Sequence, residues 1–151
     1  EALALNNLGE LALAQGQFEQ AITHSEQALK IARQEDEAWT MIVCLNNLGE
    51  AHCQLGSHAS AMTYFSDAVQ MALEVDSADS ATRVAVNMGR CLQLQGKTTR
   101  AVSLYQAVLA HSASEHENRQ KAAAWLQELN AAAPAAPDDD LLKDAVAAAI
   151  G

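Results

Sequence analysis

The sequence Asn-Asn-Leu-Gly at residues 6–9 occurs again at residues 46–49, and the related sequence Val-Asn-Met-Gly stands at residues 86–89. The step from Gly9 to Gly49 equals the step from Gly49 to Gly89. Small residues keep the same step, and they are Gly16, Gly56 and Gly96; Ala21, Ala61 and Ala101; and Ala28, Ala68 and Val108. A fixed period of about 20 to 50 residues indicates a protein built from stacked structural repeats.

Each copy of the period has the pattern of two amphipathic helices. Apolar residues recur at three- and four-residue steps on both sides of Gly16, Gly56 and Gly96, which is typical of helices that bury one face. Ala is abundant and aromatic residues make up only 4% of the chain, so closely packed helices are favoured over a β-sheet. We predict an all-α fold with helical hairpins at about residues 2–36, 37–77 and 78–114.

The chain continues past the third hairpin with a different pattern. Residues 115–131 have helical composition, but Leu129 stands where the period requires a Gly, so we expect a capping helix that ends a repeat domain at residues 1–131. Residues 132–137 are an Ala/Pro linker that interrupts the helix. Residues 138–151 form a short amphipathic helix with acidic residues at its start, which packs either on its own chain or on a neighbouring copy.

Composition excludes several classes of partner. The formal charge of −10 argues against nucleic acid and against an anionic membrane surface, because both are bound by clustered Lys and Arg. No apolar run is long enough for a transmembrane helix. Three Cys without a Cys-x-x-Cys pair fit a reducing compartment, so we expect a cytoplasmic protein. The chain begins at Glu1 without Met, and we expect it to be part of a larger protein.

These residues resemble the tetratricopeptide repeat family, whose pattern is Trp-x2-Leu-Gly-x2-Tyr, then Ala-x3-Phe, then Ala. The second copy matches it best, with Leu45, Leu48, Gly49, His52, Ala61, Phe65 and Ala68 in the pattern positions. The resemblance covers about residues 2–131. The period of 40 is similar to that of Pins-type adaptors, kinesin light chains and the sensor arms of bacterial regulators.

The resemblance implies a right-handed α-α superhelix whose concave side is lined by the first helix of each hairpin. It also implies a protein-interaction module of a larger regulatory or scaffold protein, which captures a peptide or helix in the concave groove. A structural alternative is an oligomerisation arm, in which residues 138–151 dock on a neighbouring copy.

Family geometry places a set of first-helix residues on the groove wall. They are Asn6, Asn7, Glu10 and Leu13; Asn46, Asn47, Glu50 and Cys53; and Arg83, Asn87, Arg90 and Gln93. Asn amides donate and accept hydrogen bonds, so they are suited to holding a peptide backbone. Changing Asn46 and Asn47 to Ala is then expected to weaken partner binding without much loss of stability. The alternative is that the Asn amides bond to neighbouring helices.

The charged groove residues predict a direction for the ligand. Glu10 and Glu50 make the near end acidic and Arg83 and Arg90 make the far end basic. A bound peptide would therefore place basic residues toward the first repeats. The alternative is that these side chains are solvated or form local pairs.

Catalytic and metal-binding patterns are not evident in the sequence. His52, Cys53 and His58 are close along the chain, but residues 52 and 53 point about 100° apart on a helix, so a tetrahedral zinc site is not expected. Phosphate-binding loops, nucleophile elbows and metalloprotease helices are not found. We therefore expect no enzymatic activity, no cofactor and no metal.

Overall fold

The computed structural model describes residues 1–131, 138 and 140–151, and within these residues it contains eight α-helices and no β-strand. The helices are α1 (Ala2–Ala14), α2 (Phe18–Gln34), α3 (Ala38–Gln54), α4 (His58–Glu74), α5 (Ala78–Leu94), α6 (Thr98–Ala110), α7 (His116–Glu128) and α8 (Leu141–Ile150). The predicted linker at 132–137 lies outside the described residues. The all-α prediction is confirmed, with three hairpins, a capping helix and a C-terminal helix.

The chain divides into two compact units between the second and third predicted repeats. Unit 1 is Glu1–Asp76 and contains α1 to α4, and unit 2 is Ser77–Gly151 and contains α5 to α8. No helix in the described part of the chain is both long enough and apolar enough to cross a membrane.

The turns between helices recur at half the period seen in the sequence. Gly16, Gly56 and Gly96 have φ of +72°, +76° and +74°, and the intervening positions are Asp36 and Asp76 with φ of +53° and +54°. At the first turn the Gln17 N–H donates to Ala12 O at 2.8 Å and the Gly16 N–H donates to Leu13 O at 3.0 Å. This pair of bonds is the Schellman motif, which ends a helix on a left-handed residue. The same pair of bonds forms at Gly56 and Gly96, so a three-residue turn of one kind joins the two helices of each hairpin.

Asp36→Gly is expected to raise the free energy of unfolding by up to about 1 kcal/mol, because the left-handed conformation is unfavourable for a residue with a Cβ. Urea unfolding of the variant measures the change. The matched control is Gly56→Asp, which introduces the same side chain at an equivalent turn and should lower stability by a similar amount. Equal stabilities for the two variants would contradict a role of φ at these turns.

Unit 1 consists of two helical hairpins, α1–α2 and α3–α4, and α3 packs on both helices of the first hairpin. Ala12 of α1, Ala21 of α2 and Ala51 of α3 form a cluster of small buried residues where the three helices meet. Small side chains let the helix backbones approach closely. The larger side chains Leu13, Phe18 and Ile22 pack around this cluster.

Within each hairpin, a glycine of the first helix faces a side chain of the second. A Cβ placed on Gly49 would lie 2.6 Å from the Phe65 ring, and one placed on Gly89 would lie 2.5 Å from the Tyr105 ring. The aromatic rings, one helical turn beyond Ala61 and Ala101, fill the contact with these glycines. The glycine is therefore required by a fully buried ring.

Unit 2 contains the hairpin α5–α6, on which α7 packs. The buried Asn118 amide of α7 donates to Thr82 Oγ1 and to Asp79 Oδ1, both at 3.2 Å. The Trp125 ring lies 5.4 Å from the Tyr105 ring of α6. These contacts confirm α7 as the capping helix of the third hairpin.

Helix α8 packs on α6 and α5 of its own chain, which is one of the two arrangements that the sequence allowed. Its apolar face is buried and consists of Leu142, Ala145, Val146 and Ala149. The receiving helix α6 buries Leu104, Ala107 and Ala110, where the earlier second helices have more polar residues, namely His24, Gln27 and Lys30 in α2 and Tyr64, Asp67 and Gln70 in α4. We attribute this change of composition to the docking of α8.

Candidate functional site

The Asn side chains of unit 1 form a buried polar seam between the first helices α1 and α3. Asn6 Oδ1 accepts a hydrogen bond from Asn47 Nδ2 at 3.0 Å and another from Cys44 Sγ at 3.6 Å. Asn6 Nδ2 in turn donates to Glu10 Oε1 at 3.2 Å. Asn6 and Asn47 are almost fully buried, so their amides serve each other and not an open groove. For these two residues the alternative interpretation, a bond between neighbouring helices, describes the structure.

The seam also has an electrostatic consequence. Burial raises the pKa of the Cys44 thiol to about 11, and the nearby Glu10 carboxylate adds to the increase. Cys44 therefore stays a neutral thiol at physiological pH.

Asn6→Ala is expected to destabilise unit 1 by about 1 to 3 kcal/mol, because the buried Asn47 amide and the Cys44 thiol lose their acceptor. For the same reason Asn47→Ala is now expected to lower stability, in contrast to the expectation from the sequence. The control is Asn7→Ala, an exposed Asn at the next position, which should have little effect. Urea unfolding compares the two, and an equal loss for both variants would rule out the seam.

The other predicted groove residues of unit 1 differ in accessibility. Asn46 and Cys53 are buried, and Leu13 packs against the cluster of small residues between the helices. Glu50 is half-buried, whereas Asn7 and Glu10 are exposed. Of the predicted set in unit 1, Asn7 and Glu10 are therefore the most accessible to a partner.

Sequence reasoning missed the largest exposed side chain of unit 1. Trp39, in the first turn of α3, is 54% exposed. It shares a face with Glu50, because positions eleven apart fall within about 20° of each other on a helix. The sequence does contain a signal for Trp39, because the polar residue Asp79 occupies the equivalent position in the third repeat.

In unit 2 the predicted groove residues of α5 are largely engaged with neighbouring helices. Arg90 Nη1 lies 3.3 Å from Glu128 Oε2 of α7, and its guanidinium sits 5.5 Å from the centre of the Trp125 ring. The Gln93 side-chain oxygen accepts a bond from the Tyr105 hydroxyl at 3.1 Å. Asn87 is half-buried.

Arg83 of α5 also acts toward the capping helix. The pKa of the Glu117 carboxyl is lowered chiefly by the Lys121 ammonium, which lies 2.8 Å away, and to a smaller extent by the charge of Arg83. Of the two arginines that were expected to form a basic groove end, Arg90 pairs with an acidic group of α7 and Arg83 affects the pKa of another.

Charge is distributed very unequally along the chain. Residues 1–76 contain eleven acidic residues and only two basic ones, Lys30 and Arg33, for a formal charge of −9. Residues 77–151 contain eight acidic and seven basic residues, for a formal charge of −1. Almost all of the negative charge therefore belongs to unit 1.

Repeated hairpins joined by equivalent turns, with first helices bonded side by side, define a helical repeat protein. Residues 1–74 match one family model described as Tetratricopeptide repeat, and residues 85–118 match a second model with the same description. The two matches together span more than half of the chain, which belongs to the tetratricopeptide repeat family. Repeats of this family generally mediate protein–protein interactions and are usually not enzymes. Searches among curated proteins and among solved structures gave no match.

Proposed function

We propose that this chain is a protein-binding module that holds a basic segment of its partner on the first-helix face of unit 1. The observation that carries the proposal is the exposed Trp39 on a unit with a formal charge of −9. Exposed Trp side chains are enriched among residues that dominate binding energy, because they offer a large apolar surface with few rotatable bonds.

The carboxylates on the first-helix face of unit 1 support a basic partner. Glu50 shares a face of α3 with Trp39, and Glu10 occupies the equivalent position in α1 one period earlier. Glu10 is exposed, and its bond to Asn6 holds it beside the seam between α1 and α3. A Lys or Arg of the partner would meet these carboxylates while an apolar side chain packs on Trp39. The field of the whole unit would also accelerate association with such a partner.

The position of α8 supports this module over the oligomerisation arm. Its apolar face is buried on α6 of the same chain, and docking on a neighbouring copy would require it to leave this contact. The wider groove predicted from the family, with Asn87, Arg83 and Arg90, stays a prediction.

Binding is tested with three labelled peptides of equal length: one of Lys, Leu and Ser, one in which Glu replaces Lys, and one without Leu. The chain is expected to bind the Lys–Leu peptide most tightly. Trp39→Ala should weaken that binding about tenfold, as is usual for loss of a dominant contact. Fluorescence anisotropy at physiological salt measures the affinities.

The charge contribution has a matched control. Glu10→Lys should weaken binding several-fold, whereas Glu26→Lys makes the same change of net charge on an exposed position of α2 and should have a much smaller effect at physiological salt. Equal losses for the two variants would mean that only net charge matters. If Trp39→Ala does not change the affinity for the Lys–Leu peptide, the proposed binding surface is wrong.

A further inference from the structure

Unit 2 contains an arginine held between a tryptophan ring and a carboxylate. The Arg90 Cζ atom lies 5.5 Å from the centre of the Trp125 ring, and Arg90 Nη1 lies 3.3 Å from Glu128 Oε2. The two contacts are compatible, because a guanidinium is planar and its N–H donors point outward in that plane. The cluster is therefore an internal example of how this chain binds an arginine side chain.

The first turn of α3 in unit 1 presents the same two kinds of group. Trp39 is 54% exposed, and in the described part of the chain no guanidinium stacks on it. Glu37 stands two residues earlier, so the two Cα atoms are within about 7.6 Å of each other. Cα–Cβ bonds in a helix tilt toward its N-terminus, so Trp39 leans toward the turn that contains Glu37. A cation on the ring is thus within reach of the Glu37 carboxylate.

The Glu37 carboxylate is held in place by a buried hydroxyl group. Thr40 Oγ1 donates to Glu37 Oε2 at 2.9 Å, and Thr40 is only 5% exposed. A carboxylate that is already oriented loses less side-chain freedom when a ligand binds. Glu35 and Asp36 precede it in the same exposed turn and add to the negative field at Trp39. Together these carboxylates outweigh the partial positive charge of the α3 N-terminus, which is about half an elementary charge.

We propose that Trp39 and Glu37 form a binding site for an arginine side chain of the partner protein. This proposal rests on the proposed function, because it specifies the cation that lies beside the apolar residue of the basic segment. The guanidinium stacks on the indole ring and donates to Glu37 Oε1, the oxygen that Thr40 does not use. An indole ring is large enough for an apolar side chain and a guanidinium to contact it together.

Arginine fits this pair of groups better than lysine does. A guanidinium is flat and weakly hydrated, so it can stack on a ring and donate to a carboxylate at the same time. An ammonium is a compact and strongly hydrated charge, so it gives up more hydration when it lies on a ring. The site therefore selects arginine at one position of the segment, whereas the charge of the whole unit attracts both residues equally.

The nearest arginine of the chain itself does not occupy the site. Arg33 lies in the last turn of α2, four residues before Glu37, and it is exposed. Within the described residues Arg33 forms no hydrogen bond, ion pair or ring contact. The Trp39 ring and the Glu37 carboxylate are therefore open to an arginine from another molecule.

The test compares the Lys–Leu peptide with a peptide in which Arg replaces each Lys, using the full chain and fluorescence anisotropy at physiological salt. The Arg peptide is expected to bind at least about threefold more tightly, as an exposed cation–π contact allows. Glu37→Gln removes the charge but keeps an oxygen for Thr40, and it should abolish this preference. Trp39→Leu keeps an apolar side chain and should abolish it as well. Glu35→Gln makes the same change of charge in the same turn and should preserve the preference.

The outcomes separate the arginine site from the proposed function. Equal affinity for the two peptides would overturn the site and leave the proposed function intact, whereas binding of neither peptide would contradict both. Equal loss of the preference in Glu35→Gln and Glu37→Gln would also overturn the site, because only the charge of the turn would then matter. Sedimentation of the chain as a dimer that Glu37→Gln dissociates would overturn a partner protein as the source of the arginine, in favour of a second copy.

Discussion

Gly49→Leu is expected to destabilise unit 1 by about 3 kcal/mol or more, at or above the usual range for inserting atoms into a packed core. A Cβ at this position would already lie 2.6 Å from the Phe65 ring. That ring is fully buried, so it has no open space into which to move. Urea unfolding followed by circular dichroism measures the loss of stability.

Phe65 is the cause of the expected loss, and a double-mutant cycle tests this. Gly49→Ala alone should destabilise unit 1 by about 1 to 3 kcal/mol. In a Phe65→Ala background the same change should be much less harmful, because the ring that it strikes is gone. Additive effects would show that Phe65 is not responsible.

Leu142→Glu is expected to release α8 from α6 and to lower the free energy of unfolding of unit 2 by about 2 to 5 kcal/mol, the range for losing a buried Leu side chain. Leu142 is only 1% exposed, and α8 has few other large apolar residues in its buried face. Amide exchange at residues 141–150 should become fast, while the helices of the α5–α6 hairpin stay protected.

Leu141 gives a closely matched control for this prediction. It is the neighbouring Leu, it is 39% exposed, and Leu141→Glu should leave α8 in place. Both substitutions place Glu in the first turn of α8, so both change its helix propensity in the same way. A difference in hydrogen exchange between the two variants therefore reports on the docking of α8. Release of α8 by both variants would contradict the assigned face.

The repeat pattern was sufficient to predict the three hairpins, because the recurring Gly and Ala residues mark the turns and the close contacts between helices. It placed the boundaries between hairpins near Asp36 and Asp76, but it did not reveal that these residues adopt the glycine-like backbone conformation. Nor did it separate Asn6 and Asn47 from a binding surface, because an amide suits a ligand and a neighbouring helix equally. That distinction depends on which positions of adjacent helices face each other, and this is a property of the stacked hairpins.

The binding surface was predictable only in part. Glu10 follows from its place in the repeat, and the structure leaves it exposed. Trp39 breaks the repeat pattern, so a comparison based on what the copies share passes over it. The same applies to Leu104, which differs from His24 and Tyr64 because it packs in a region covered by a helix that the other repeats lack.

The even spacing of the left-handed turns bears on how such a chain lengthens during evolution. Residues 16, 36, 56, 76 and 96 have nearly the same backbone conformation. A gene duplication of one full period that begins and ends at these turns rejoins the chain at matching geometry and needs no new loop. A duplication of half a period would join equally well but would exchange the roles of first and second helices. Recombination is therefore restricted to whole hairpins by side-chain packing and not by the backbone.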